Sequence, residues 1–454
     1  MTKKTHLIII GGIAAGVKAA ARARRVNPEL NITLFEAGPE VSYSACGEPY
    51  YISGIIPNRE SLIMRRPDEF SKDGICIKVS HKVTDIDIQA QSITAFNFNL
   101  GQSIQQSYDQ LIIATGAQAI IPSISGRDLK GVISLRTLAD SDNLISLLSH
   151  NKNNQVVIVG SGYIGLELAE SLIELGAEVH LIDQCERMFP RMDAQLSDQI
   201  HNKLVEKGVN VLLNDSVISI QGQNQKVGSI ITQSGLNLSC NVVILACGVK
   251  PNIELAEQSG IKLGSTGAIE VDQRMQTNIE NIFAAGDCVQ SQHRISGLPA
   301  WLPLGDIANL QGRVAGENAS GGDARFPGII GTSIFRSFDL EIGMTGLSED
   351  DLNKFEIDYC ETLIESRDRA RYYPGGQTLS LKLLAQKSNG KLLGAQAVGT
   401  GGVAKMIDIS ATALLGNLSC FDLEYADLAY APPFSPVLSP MIIAASQLCK
   451  MVSN

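Results

Sequence analysis

Short apolar runs, each followed by glycine and then by a helical stretch rich in small residues, recur along the chain. Leu7-Ile-Ile-Ile runs into Gly11-Gly-Ile-Ala-Ala-Gly16 and an alanine-rich stretch to Arg25, after which Asn31-Ile-Thr-Leu-Phe ends on Glu36. The design returns as Gln155-Val-Val-Ile-Val, Gly160-Ser-Gly162-Tyr-Ile-Gly165, a helix through Leu175, and Glu178-Val-His-Leu-Ile ending on Asp183. Each unit reads strand, glycine turn, helix, strand, with an acidic residue about 20 positions beyond the glycines. Apolar strands with helices between them predict parallel sheets covered on both faces. Leu111-Ile-Ile-Ala-Thr-Gly116 reads as a further strand. Val242-Val-Ile-Leu-Ala-Cys-Gly248 and Asn281-Ile-Phe-Ala-Ala-Gly286-Asp287 predict a return to the sheet in which the chain began. Pro299–Gly312 reads as a connecting helix. From Phe326 alternating strand patterns give way to helices, and no low-complexity segment interrupts the chain.

Length and composition narrow this picture. At roughly 150 residues per domain, the 454 residues correspond to about three domains. With 44% hydrophobic and 19% charged residues, a large core is expected. A formal net charge of -10 argues against nucleic acid as a partner, since such binders present a basic face. The nine cysteines include no C-x-x-C pair, and their odd number fits no disulfide framework. No metal site is expected. The start, Met1-Thr-Lys-Lys-Thr-His, runs straight into a strand with no signal peptide, and no apolar run is long enough for a bilayer. The expectation is a cytoplasmic protein with no membrane partner.

Glycine turns of this kind let backbone approach a pyrophosphate, while the following helix directs its N–H groups and positive end at the phosphates. Two complete units predict two dinucleotide sites: Gly11, Gly12, Gly16 and Glu36 in the first, Gly160, Gly162, Gly165 and Asp183 in the second. Ile13 occupies the place of a middle glycine in the first unit, and Gly12 is expected to take over its role. Glu36 and Asp183 would accept from a ribose 2′-OH. Asp183 would also repel a 2′-phosphate, which predicts NADH over NADPH, with the nearby Arg187 pulling the other way. Ala284-Ala-Gly286-Asp287 resembles the second flavin fingerprint of FAD-dependent disulfide oxidoreductases, whose aspartate binds the ribityl chain. Thr115 and Gly116 join this FAD set, and Gly248 joins the NAD set.

Val41-Ser-Tyr-Ser-Ala-Cys46-Gly-Glu-Pro-Tyr-Tyr-Ile-Ser-Gly54 follows the first unit and precedes a helix start with Pro49 in its first turn. A thiol at a helix N-terminus has a lowered pKa and is held partly as the nucleophilic thiolate. Cys46 alone among the cysteines is surrounded by glycine, small residues and tyrosines. These segments, with Ala370-Arg-Tyr372-Tyr-Pro-Gly375 and Tyr430-Ala-Pro-Pro-Phe-Ser435, resemble the pyridine nucleotide-disulfide oxidoreductases, most of all the coenzyme A-disulfide reductases. That resemblance implies an α/β fold with two Rossmann-like dinucleotide-binding domains plus a C-terminal α+β dimerisation domain. The implied division is FAD at 1–116 and 250–325, NAD(P) at 117–249, and dimerisation at 326–454. It further implies a homodimer in which Tyr372 and Tyr430 reach the partner subunit's Cys46, and coenzyme A contacts at Arg22, Arg25 and Ser42. Arg24 completes the basic cluster at that helix end, although cations there also complement the helix dipole.

Glutathione-reductase-like relatives carry two cysteines five positions apart. Here the positions five before and after Cys46 are Val41 and Tyr51, so no local disulfide is available. The oxidised state is then a mixed disulfide with a small thiol or a sulfenic acid. The first predicts NADH-driven reduction of coenzyme A disulfide, persulfide or polysulfide through a Cys46–S–S–CoA bond. The second predicts an NADH oxidase or peroxidase, but those relatives place a histidine in the first glycine turn, where this chain has Ala14. Some sulfur-reducing relatives add a C-terminal rhodanese domain; ending at Asn454, this chain is expected to lack one. A flavoprotein that only senses NADH or binds a partner would not need Cys46 and both tyrosines.

Overall fold

The computed structural model describes residues 5–150 and 153–452, so Met1–Lys4 and Asn454, on which two expectations touch, lie outside the described residues. Two five-stranded parallel sheets repeat one plan. In the first, His6–Ile10 lies between Asn31–Phe35 and Gln110–Ile113, with Ile75–Lys78 and Ile282–Ala284 at the edges. In the second, Gln155–Val159 lies between Glu178–Ile182 and Val242–Leu245, with Asn210–Leu212 and Val132–Ile133 outside. The central strands are apolar on both faces, and Leu7, Ile8, Ile9, Val156, Val157 and Ile158 are fully buried. That is why they appear in the sequence as continuous runs rather than as alternation.

Two expectations need correction here. Val242–Leu245 does not return to the first sheet: it pairs in parallel with Gln155–Val159, which buries it on both sides. The return comes one segment later. Val249–Pro251 runs antiparallel to Ala117–Ala119 where the chain crosses between the sheets, and Ile282–Ala284 then joins the first. The connecting helix also starts later than expected, spanning Gly305–Asn318. Pro299–Ala300 instead bridges Ser291–Gln292, and Pro303, which lacks an N–H, stands just ahead of the helix.

The last part of the chain builds a five-stranded antiparallel sheet, in the order Ser333–Ser337, Leu340–Gly346, Leu392–Gly399, Thr378–Gln386, Tyr359–Arg367. It joins the second parallel sheet's layer through a buried ion cluster. Lys382, 1% exposed, places its Nζ 3.3 Å from Asp193, 2.7 Å from Glu361 and 2.5 Å from Glu349. Several carboxylates around one ammonium compensate its desolvation, which a single partner would not do.

One helix contact positions the site. Helix Gly305–Asn318 lies on helix Ala15–Val26 with almost no side chain between them. A β-carbon on Gly312 would fall 2.2 Å from Ala15 O, and one on Gly316 2.3 Å from Ala19 O. The ion pair of Arg22 with Glu317, at 2.6 Å, continues the same contact. Gly316→Val should therefore force the helices apart and lower the unfolding free energy by about 1–3 kcal/mol. Denaturant titration reads this directly, and an unchanged midpoint would show that the contact can yield without loss.

Candidate active site

Both glycine turns are held by the same hydrogen bonds. Gly11 N–H donates to Phe35 O and Gly160 N–H to Ile182 O, each at 2.8 Å. The next N–H then donates to the acidic residue, Gly12 to Glu36 at 2.7 Å and Ser161 to Asp183 at 2.6 Å. The third glycine of each turn lets its helix close on the turn, since a β-carbon on Gly16 or Gly165 would lie 1.8 or 2.0 Å from Gly11 O or Gly160 O. Gly162 faces open space at the start of helix Tyr163–Glu174, which leaves room for a pyrophosphate. Gly12 does not take over the role of the missing middle glycine. A β-carbon there would meet Leu34 and Val41 at 3.0 Å, so that space is filled by protein, while Ile13 lines the cleft.

Thr115 and Gly116 sit where the chain leaves the first sheet. Thr115 Oγ1 donates to Asn252 O and Asn252 Nδ2 donates back to Thr115 O, both at 2.8 Å. Gly248, at φ +90°, marks the return and lines the cleft. Gly286 takes φ +86° beside Ala15, a conformation that favours glycine. Burial raises the Asp287 carboxyl above its ordinary value, which Arg136, 4.0 Å away, partly opposes.

A cavity of about 1620 Å³ has Gly160, Gly162 and Asp183 of the second turn, Ile13 and Ala14 of the first, Cys46, Lys18, Arg25 and Ser42 all in its lining. Ser42, itself at φ +55°, is held by Ser42 N–H to Gly12 O and Met64 N–H to Ser42 O, which sets the course of the strand-like segment leading to the cysteine. Cys46 lies in the helical turn Ala45–Gly47, ahead of the short helix Glu48–Ile52. The helix end that its sulfur faces is another one: a β-carbon on Gly305, the first residue of helix Gly305–Asn318, would stand 3.9 Å from Cys46 Sγ.

The surroundings do not favour the expected lowering of the thiol pKa. Cys46 is exposed to the cleft, yet desolvation by the cleft walls, followed by the charges of Glu167 and Asp287, pushes its thiol above its ordinary value. Glu167 projects from helix Tyr163–Glu174, where burial and the neighbouring Glu170 push it up to about 7 against a lowering hydrogen bond from Tyr50. Glu48, next to the cysteine turn, is likewise pushed up to about 7, chiefly by burial. Its Oε2 accepts from Ser141 at 3.1 Å, and its buried Oε1 has no partner among the described residues.

Of the three arginines at the first helix end, only Arg25 lines the cavity. Arg22 is turned to Glu317, and Arg24 donates to the carbonyls of Pro28 and Gly74. Lys18 belongs with Arg25 instead. Ala14, Val17, Lys18, Ala21 and Arg25 form one cleft-facing stripe, a spacing of three and four that was present in the sequence. At the nucleotide end, Arg187 pairs with Asp350 in the C-terminal part and does not line the cavity. Tyr372 and Tyr430 are 76% and 48% exposed, close enough that Tyr372 raises the Tyr430 hydroxyl above its ordinary value, and neither lines this chain's own Cys46 cleft.

Two nucleotide turns opening on one cleft, with the exposed Cys46 thiol in its lining beside Cys185 and Cys247, define a pyridine-nucleotide-linked redox enzyme. The chain belongs to the pyridine nucleotide-disulphide oxidoreductase family, whose model matches residues 5–301, with the family's dimerisation domain matching 332–442. It is 40% identical over 450 residues, covering 98% of both chains, to a CoA-dependent NAD(P)H sulfur oxidoreductase of Pyrococcus abyssi. It is 38% identical over 447 residues, again 98% of both, to an NAD(P)H coenzyme A polysulfide/persulfide reductase of Pyrococcus horikoshii. The fold matches the solved structure of an NAD-dependent persulfide reductase from A. fulgidus with a TM-score of 0.95 at 38% identity, covering 98% of this chain and 83% of that one.

Removing the charge at Glu167 should ease ionisation of Cys46. Glu167→Gln is expected to lower the thiol pKa by up to about one unit, seen as faster alkylation of Cys46 by iodoacetamide at a fixed pH below that pKa. An alkylation profile that does not move along the pH axis would mean that Glu167 does not act on the sulfur.

Proposed function

We propose that this protein is an NAD(P)H-dependent flavoprotein that reduces coenzyme A disulfide or a coenzyme A-linked persulfide or polysulfide through Cys46. The observation that carries this reading is that Asp183, Cys46, Lys18 and Arg25 all line one cavity. A nucleotide and a polyanionic thiol can therefore both enter the space that holds the same sulfur. The family match and the sulfur-reducing relatives support the same chemistry.

The first turn and its surroundings fit FAD, and the second fits a nicotinamide dinucleotide. Glu36 and Thr115 stand at the first turn, Gly286, next to Asp287, packs on Ala15 where the following helix begins, and Glu48 leaves an unpaired buried oxygen at the cleft wall. When bound, the flavin supplies the relay of an electron pair from the nicotinamide to sulfur. Cys46 contributes the sulfur that forms and breaks a mixed disulfide with coenzyme A, exchanging as the thiolate. Arg25 and Lys18 provide the cations for the phosphates of coenzyme A, and Ser42 a hydroxyl beside them. Arg22, held by Glu317, supports the helix contact.

We take the chain to be divided as 1–116 with 250–325 for FAD, 117–249 for the nicotinamide dinucleotide, and 326–454 for dimerisation, which the two sheets and their antiparallel crossing support. A homodimer accounts for the outward-facing Tyr372, Tyr430 and Phe434, with both hydroxyls directed at the partner's sulfur chemistry. A cytoplasmic setting suits nine cysteines that are all free thiols. Among the described residues, no helix is long and apolar enough to cross a membrane.

Cys46→Ser should still accept hydride from NADH but lose turnover with coenzyme A disulfide by about a thousandfold or more; unchanged turnover in a steady-state assay would refute the reading. NADH should exceed NADPH in kcat/KM by roughly tenfold, equivalent to about 1.4 kcal/mol of carboxylate–phosphate repulsion at Asp183. With Arg187 tied to Asp350, that side chain does not offset the repulsion. A preference for NADPH would contradict this.

A further inference from the structure

Cys420 opens the helix Cys420–Glu424, and Cys449 closes the helix Pro440–Cys449. The two helices pack on each other, and between them runs the segment 425–439 that carries Tyr430. Cys420 is fully buried and Cys449 partly covered. Cys420 belongs to the buried apolar cluster of the C-terminal part, Cys449 packs against that same cluster, and neither is in a disulfide. Gly390 closes the far side of Cys420: a β-carbon there would lie 2.7 Å from its sulfur. Glu424, one helical turn beyond Cys420, adds its charge to the surroundings of the Cys449 thiol. The third thiol nearby, Cys360 on strand Tyr359–Arg367, is occupied differently, its Sγ donating to Ala385 O at 3.7 Å. Among the described residues, no group of three or more His, Cys, Asp or Glu side chains is placed to hold a metal ion.

We propose that Cys420 and Cys449 form a second thiol–disulfide site, which low-molecular-weight disulfides oxidise to a disulfide that fastens together the two ends of the Tyr430 segment. Cys449, the more accessible thiol, gives up its proton with Glu424 beside it and attacks one sulfur of the disulfide RSSR. That S–S bond breaks, a first RSH leaves, and Cys449 carries the mixed disulfide. Cys420 then attacks the Cys449 sulfur and expels the second RSH. In total RSSR gains two electrons and the two thiol protons, while the pair loses them and gains one S–S bond. Burial, then Cys420 and Glu424, push the Cys449 thiol up to about 12, which makes the exchange slow and in need of excess oxidant. The oxidant belongs to the substrate class proposed for Cys46, but the step does not pass through Cys46.

The test uses flavin-loaded full-length Cys46→Ser protein, so that its outcome does not depend on the proposed catalytic cysteine. The protein is incubated with excess 2-hydroxyethyl disulfide, quenched in acid, alkylated, digested and examined by mass spectrometry, with amide exchange followed in parallel. The proposal expects two free thiols to be lost, a peptide pair joined through Cys420 and Cys449, and slower exchange across 425–439. An added Cys449→Ser change should abolish the cross-link, and an added Cys360→Ser change should leave it intact. A lasting hydroxyethylthio adduct on Cys449, separate alkylation of Cys420 and Cys449, or a cross-link from Cys449 to Cys360 would overturn the pairing. A correct cross-link with unchanged exchange would overturn the fastening.

Discussion

Helices from distant parts of the chain touch through backbone where Gly312 and Gly316 meet Ala15 and Ala19, and the geometry of the cleft depends on that contact. Side chains of ordinary size would separate the helices, and the first turn of Gly305–Asn318 would withdraw from Cys46. With glycine and alanine at the contact, the start of that helix stands beside the sulfur while the first glycine turn stays at the start of its partner. Arg22 and Glu317 belong to this contact, which is why Arg22 is not available to the cleft. A residue that looks like part of a phosphate site is instead part of the frame around it.

Cys46 therefore sits between opposing fields. The N-terminal end of a helix favours a thiolate. Enclosure together with Glu167 and Asp287 opposes it, and the balance raises the thiol. Glu48 and Glu167 are both pushed up to about 7, so the charge around the sulfur changes across the neutral range. Such a sulfur is more readily held in a covalent pair with another thiol than as a free thiolate. That suits a chain in which no second cysteine stands five positions away.

Much of this was legible in the sequence, because the strands of both parallel sheets are buried on both faces and leave unbroken apolar runs before each glycine turn. The acidic residues could be located by counting, and both accept the N–H that follows the first glycine. Contacts between remote segments were not legible. Nothing near Cys46 indicates that the helix facing it starts at Gly305, or that Val242–Leu245 lies in the second sheet. The Gly12 expectation failed because its free side is occupied by Leu34 and Val41, which only the fold brings there. Lys18 was within reach of a helical-face count, whereas the pairing of Arg187 with Asp350 links positions far apart in the chain.

The central claim is that Cys46 holds one half of a redox couple whose other half is a coenzyme A thiol. Anaerobic NADH titration of the oxidised protein, followed spectrally and compared with Cys46→Ser, tests it most directly. The account predicts that each wild-type subunit takes up two hydride equivalents, one for the flavin and one for the mixed disulfide, and releases coenzyme A, while the variant takes up one and releases none. Equal uptake by the two proteins, with no coenzyme A released, would contradict it.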